Sequence, residues 1–251
     1  MNVPRRVVID ATRVVFPIVA GTAAPGGFNR TDFLGTGFFV GRHGLALSAA
    51  HVVTGLRAGL ELRVGLPTQQ REMRVFTVQW SVKLPGSDIL VMRVEIDGTA
   101  YFEPRFVDLP MGVDVETTGI PQSMFEKDQA GRVRMAMRVA KGYVSHGIGG
   151  WIAANFPLPK GMSGSPLVTT MPPEQFVAGV FVGQNRGEQI EDQVEEVIEE
   201  GGGNGRRTQI ERVSRVEYFA RGELLAPHVD FVAPEFDGFT LSELIAEDAA
   251  P

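Results

Sequence analysis

Gly161-Met162-Ser163-Gly164-Ser165-Pro166-Leu167-Val168 puts a serine between glycines on a tight turn that runs into a strand. A serine so placed projects its hydroxyl. The backbone N–H groups of Gly161 and Ser163 are then candidates to hold the oxyanion of a tetrahedral acyl-transfer intermediate. Gly161 lets the backbone take an unusual conformation, and Gly164 lets it come close to its neighbours. Alone, the hexapeptide also reads as an ordinary Gly/Ser surface turn.

Two further stretches weigh against that plainer reading. In Leu47-Ser48-Ala49-Ala50-His51-Val52-Val53 a strand ends in small residues and a histidine, which leaves room beside an imidazole. In Ser87-Asp88-Ile89-Leu90-Val91-Met92 an aspartate comes directly before an apolar strand, and its carboxylate is drawn toward the interior. A buried carboxylate needs a partner. The imidazole of His51 would supply one, and Asp88 would fix its tautomer and steady the imidazolium. His43, His146 and His228 have no comparable frame and read as structural or surface residues.

The order His51, Asp88, Ser163 resembles the trypsin/chymotrypsin-like serine peptidases, particularly their bacterial branch with the HtrA-type proteases. Supporting matches are Gly35-Thr36-Gly37-Phe38-Phe39-Val40, Gly119-Ile120-Pro121, Lys141-Gly142-Tyr143-Val144-Ser145 and Val177-Ala178-Gly179-Val180. The resemblance implies an all-β fold of two six-stranded antiparallel β-barrels. It puts His51 and Asp88 in the first barrel, residues 1–110, and Ser163 in the second, residues 111–225. A tail, residues 226–251, follows.

The activity implied is serine endopeptidase chemistry on a protein or peptide substrate. Ser163 would be nucleophile, His51 general base and acid, and Asp88 its orienter, with Gly161 and Ser163 forming the oxyanion hole. Val182, Gly183 and Gln184 would pair with substrate backbone, and Pro157 and Lys160 would help form the pocket. No cofactor or metal is implied. A catalytically silent binding module on the same fold is the alternative. An esterase fits less well, because Ser165 breaks the Gly-x-Ser-x-Gly frame.

Three departures from the family pattern matter. Met162 stands where activatable relatives carry an aspartate, so proteolytic activation is not expected. Ser165 replaces a commoner glycine. A PDZ domain after the second barrel is not expected.

The rest of the chain agrees with a β-rich body. Thirty Gly and 16 Pro among 251 residues punctuate short apolar runs. These are Val14–Val19, Gly37–Val40, Leu45–Ala49, Glu61–Val64, Val75–Trp80, Ile89–Ile96, Val113–Gly119, Val133–Val139, Gly142–Ser145, Pro166–Thr169 and Val177–Val182. Cysteine is absent, which removes disulfides and Cys-based metal sites. A net charge of −6 gives no electrostatic footprint for nucleic acid. No run is long and apolar enough for a membrane helix. Asp10 and Arg13 interrupt the only candidate export segment, so a cytoplasmic protein is expected.

Helix is expected in three places. One is a turn after His51. Another lies around Glu188–Glu200, an acidic run within an insertion at residues 186–206, where Ile190, Val194, Val197 and Ile198 share a helical face. Gly201–Gly205 would end that helix as a flexible link. The third is the C-terminal region, where Ser214/Glu217 and Thr240/Glu243 both have capping-box spacing. The acidic segment would sit at the rim of the substrate cleft and favour basic peptides.

Overall fold

A computed structural model of the chain describes residues 10–24, 27–67, 73–127, 133–169, 175–199 and 206–250. The short apolar runs become the strands of two closed barrels. In the first, β1 (Val15–Ala24), β2 (Gly27–Phe39), β3 (Leu45–Ala49), β4 (Glu61–Pro67), β5 (Met73–Lys83) and β6 (Ile89–Val94) close in the order β1-β2-β3-β6-β5-β4. In the second, β7 (Asp114–Gly119), β10 (Arg138–Ile148), β11 (Trp151–Ala154), β12 (Ser165–Thr169), β13 (Phe176–Glu199) and β14 (Arg206–Leu224) close in the order β10-β11-β14-β13-β12-β7. A two-stranded excursion, β8 (Phe125–Lys127) with β9 (Val133–Met135), lies between β7 and β10. All strand pairs are antiparallel, so the expected fold class is the one observed.

Closure into barrels removes free sheet edges and gives each barrel an apolar filling. Phe16, Phe38, Leu47, Ile89 and Val91 fill the first, and Phe156, Met162, Leu167 and Phe181 the second. β3 is buried along its whole length because it also meets β12 and β13 of the second barrel. Val177, Val180 and Val182 of β13 accordingly share the first barrel's apolar cluster. The single helical turn α1 (His51–Thr54) follows β3, as expected.

The acidic segment is not a helix. Glu188 to Glu199 continue β13 as strand, paired residue by residue with Arg206 to Val216 of β14. The two strands run on beyond the barrel as a long ribbon. A ladder with a non-local partner outweighs the helical spacing of Ile190, Val194, Val197 and Ile198, all of which are β-branched. The register sets Glu199 opposite Arg206 and Gln189 opposite Arg215. The helix expected to open at Ser214 is likewise strand, with Ser214 opposite Ile190 and Glu217 opposite Gly187. Gly201–Gly205 lie outside the described residues.

The second capping-box site is a helix. Thr240 caps α2 (Leu241–Asp248): its hydroxyl accepts the Glu243 N–H at 3.3 Å, and the Glu243 carboxylate accepts the Thr240 N–H at 2.8 Å. Leu241, Leu244 and Ile245 bury against the first barrel together with Phe236. Asp248, 4% exposed, accepts the N–H groups of His43 and Leu45 at 3.0 and 3.2 Å and pairs with Arg93. Among the described residues, no helix is long and apolar enough to cross a membrane.

Candidate active site

His51 opens α1, and Asp88 sits at the turn between β5 and β6, directly alongside. β3 and β6 are paired with Ala49 opposite Ile89, so the residues that follow one strand and precede the other must meet. The Asp88 carbonyl accepts the Ala50 N–H at 2.6 Å. Its carboxylate accepts the His51 N–H through Oδ1 at 2.9 Å and faces His51 Nδ1 through Oδ2 at 2.5 Å. Burial pushes the Asp88 carboxyl up. The His51 side-chain hydrogen bond, the His51 charge, the His51 backbone N–H and Lys83 together pull it below the usual carboxylate value. The imidazole is about half exposed, and among the described residues its other nitrogen makes no hydrogen bond.

Ser163 lies on the turn before β12, where its backbone approaches α1 through Gly35; among the described residues no hydrogen bond joins its hydroxyl to His51. Gly35 is packed between α1 and that turn: a Cβ on it would lie 2.8 Å from Val52 Cγ2 and 3.1 Å from the Ser163 carbonyl oxygen. The Thr36 N–H donates to the Ser163 carbonyl at 3.0 Å. The Thr36 hydroxyl donates to the Gly161 carbonyl at 2.9 Å and accepts the Ile120 N–H at 3.0 Å. Gly164, at φ +90°, lies so close to the Thr36 carbonyl and the Ser48 hydroxyl that a side chain there would collide with both. Gly161, at φ +95°, has the backbone its glycine identity foreshadows. Among the described residues, neither the Gly161 N–H nor the Ser163 N–H has an acceptor. Met162 between them is fully buried.

Val182, Gly183 and Gln184 lie on β13 beside Asp88. A bulge between Phe181 and Gly183 interrupts the ladder with β14 there. Val182 is buried, and the exposed Gln184 accepts the Leu158 N–H through Oε1 at 2.9 Å, tying β13 to the loop that carries Pro157 and Lys160. All three line a cleft of about 390 Å³ with Lys83, Asp88, Asn185, Arg221 and Glu223. Pro157 and Lys160 are exposed and do not line it.

Glu223 was not singled out by sequence. It is 5% exposed, yet its carboxylate accepts the Asp88 N–H through Oε2 at 2.5 Å and pairs with Arg221 Nη2 through Oε1 at 2.9 Å. Nothing local marks it, because its partner is 135 residues away in sequence. His228 is buried close by: burial pushes its pKa down, and the Glu223 charge partly restores it. His43 pairs with Asp97, and His146 packs near Trp151, both outside this site. Among the described residues, no group of His, Cys, Asp and Glu could hold a metal ion.

The family described as trypsin-like peptidase domain matches residues 35–172. Two solved structures share the fold. The MamO protease domain from Magnetospirillum magneticum (apo form) is 18% identical, with 89% of this chain and 97% of that one covered and a TM-score of 0.50. The HtrA-type protease AlgW with decapeptide is 14% identical, with 87% of this chain covered and a TM-score of 0.52. Only 63% of the AlgW chain is spanned. Proteins of curated function give no match.

Proposed function

From the premise that this chain belongs to the family of trypsin-like peptidase domains, we propose that it is a serine endopeptidase acting through Ser163, His51 and Asp88. The observation that carries this reading is the doubly bonded Asp88 carboxylate, at 2.9 Å from the His51 N–H and 2.5 Å from Nδ1. A carboxylate in that position keeps the proton on Nδ1, which leaves Nε2 basic toward a serine hydroxyl.

In the proposed reaction Ser163 Oγ attacks the scissile carbonyl while His51 Nε2 takes the hydroxyl proton. The carbonyl oxygen becomes an oxyanion, stabilised by the N–H groups of Gly161 and Ser163. Collapse of the tetrahedral intermediate breaks the C–N bond, and His51 gives its proton to the leaving amine. Water then attacks the acyl-enzyme with the same base, releasing the acid and restoring Ser163. The substrate backbone lies along Val182–Gln184. The AlgW structure is described with a decapeptide; a peptide ligand is proposed for this chain by that likeness. The molecule needs no cofactor for these steps.

A fluorophosphonate reagent, which phosphonylates an activated serine, tests the assignment. The parent chain is expected to take the label and Ser163→Ala to lose it. A parent that stays unlabelled while correctly folded is a binding module on the same scaffold. Labelling that survives Ser163→Ala rejects Ser163 as nucleophile.

A further inference from the structure

The Asp88 backbone is held from both barrels. Its carbonyl and both carboxylate oxygens are engaged by Ala50 and His51, which belong to its own barrel. Its N–H is engaged by Glu223 of β14, in the other. Burying a carboxylate is costly unless it is paired and hydrogen-bonded. Here Arg221 pairs with it, stacked over the Trp151 ring at 6.0 Å from its centroid. A charged acceptor makes a shorter and stronger bond to an N–H than a neutral one. The Asp88 N–H has no other acceptor among the described residues, so without Glu223 a half-buried donor would be stranded.

We propose that Glu223 is a positioning residue for the reaction above: by gripping the Asp88 N–H from the second barrel, it fixes the carboxylate that orients His51. This rests on the serine-peptidase reading for its catalytic consequence, though not for its geometry. The other ionisable groups facing the pair are Lys83 on β5, Arg221 on β14 and His228 beyond it. None of them touches the Asp88 N–H. Triad geometry needs sub-ångström placement, so a freed Asp88 would let the imidazole drift.

The test compares Glu223→Gln, which keeps an acceptor, with Glu223→Met, which keeps the volume and loses it, in the complete chain. Fluorophosphonate labelling is expected to slow about 10²-fold in Glu223→Met and to stay within about threefold of the parent in Glu223→Gln. Both variants should melt cooperatively. The proton resonance of His51 Nδ1–H, assigned by its loss in His51→Ala, should persist in Glu223→Gln and shift or vanish in Glu223→Met. Parental labelling with an unchanged resonance in Glu223→Met overturns the proposal, as does equal impairment in both variants. An unlabelled parent would reject the peptidase reading alone, because the resonance still reports what Glu223 does to His51. If Glu223→Met does not fold, amide exchange at Asp88 in the parent decides. Exchange as fast as in an exposed turn overturns the proposal, and slowed exchange retained in Glu223→Gln supports it.

Discussion

The Thr36 hydroxyl of the first barrel donates to the Gly161 carbonyl of the second at 2.9 Å, and Thr36 is fully buried. The same oxygen accepts the Ile120 N–H, and the Thr36 N–H holds the Ser163 carbonyl. One side chain therefore sets the height of the turn carrying the proposed nucleophile. Thr36→Val keeps the shape and removes both hydroxyl bonds. Urea denaturation should show a loss of about 1–3 kcal/mol, the cost of stranding a buried N–H and a buried carbonyl. Fluorophosphonate labelling should slow by roughly tenfold or more as the turn slackens, and Thr36→Ser should recover most of both. Parental labelling in Thr36→Val would mean that the turn is held by other contacts.

The lowered pKa of Asp88 has a definite pH signature. Its carboxyl titrates below 3.8 in the folded chain, because the His51 contacts and Lys83 outweigh burial. The folded-state value is the lower one, so ionised Asp88 favours folding at pH values above 3.8. That contribution is lost as pH falls through the depressed value. The urea midpoints of the parent and Asp88→Asn should converge as pH falls below 3.8. A gap that persists undiminished as pH falls below 3.8 would contradict the pairing. At neutral pH, Asp88→Asn should lower kcat by about 10⁴-fold by favouring the wrong imidazole tautomer.

The ribbon formed by the outer parts of β13 and β14 can be trimmed in register. Glu188 faces Val216, so a two-residue Asn-Gly turn joining Gly187 to Glu217 removes it without shifting the barrel ladder. Both barrels should survive, with melting close to the parent's. From Glu188 to Val216 the chain carries eight acids and four arginines, so the excised part is net negative. The parent should therefore cleave Lys- and Arg-containing peptides better than the trimmed chain does, by a margin that shrinks as salt rises. Identical cleavage profiles at low and high salt would make the ribbon electrostatically irrelevant to substrate choice.

Asp248 anchors α2 by accepting two first-barrel N–H groups and pairing with Arg93. Asp248→Ala removes the acceptor of the buried Leu45 N–H and of the part-buried His43 N–H and breaks the Arg93 ion pair, and should cost about 3 kcal/mol in urea denaturation. Removing the cap with Thr240→Ala should cost only about 1 kcal/mol, since it exposes helix-end groups to water. The reverse order of the two effects would mean that α2 is held by its own helical stability.

Local signals were legible and non-local ones were not. Thr240 and Glu243 announce their helix because every group in the capping box lies within four residues. Ser214 and Glu217 have the same spacing and are strand, because Ile190 and Gly187 stand opposite them. The acidic run misleads for a related reason. Its Ile and Val spacing satisfies one helical face, while the strand that captures it starts only at Arg206. His51 and Asp88 could be paired in advance because β3 and β6 lead them together. Glu223 could not, since its role is created by closure of one barrel against the other.

The burial of α2 also orders events during synthesis. Leu241, Leu244 and Ile245 belong to the same apolar cluster as Val15 and Phe16, near the opposite end of the described chain. A growing chain can form the first barrel's ladders early, but that barrel stays partly uncovered until residues 241–248 have left the ribosome. Sequential folding from the N-terminus, the usual order for separate domains, is therefore incomplete here. The barrel made first is sealed last, and a chain stalled after the second barrel would display the apolar patch that quality-control chaperones recognise.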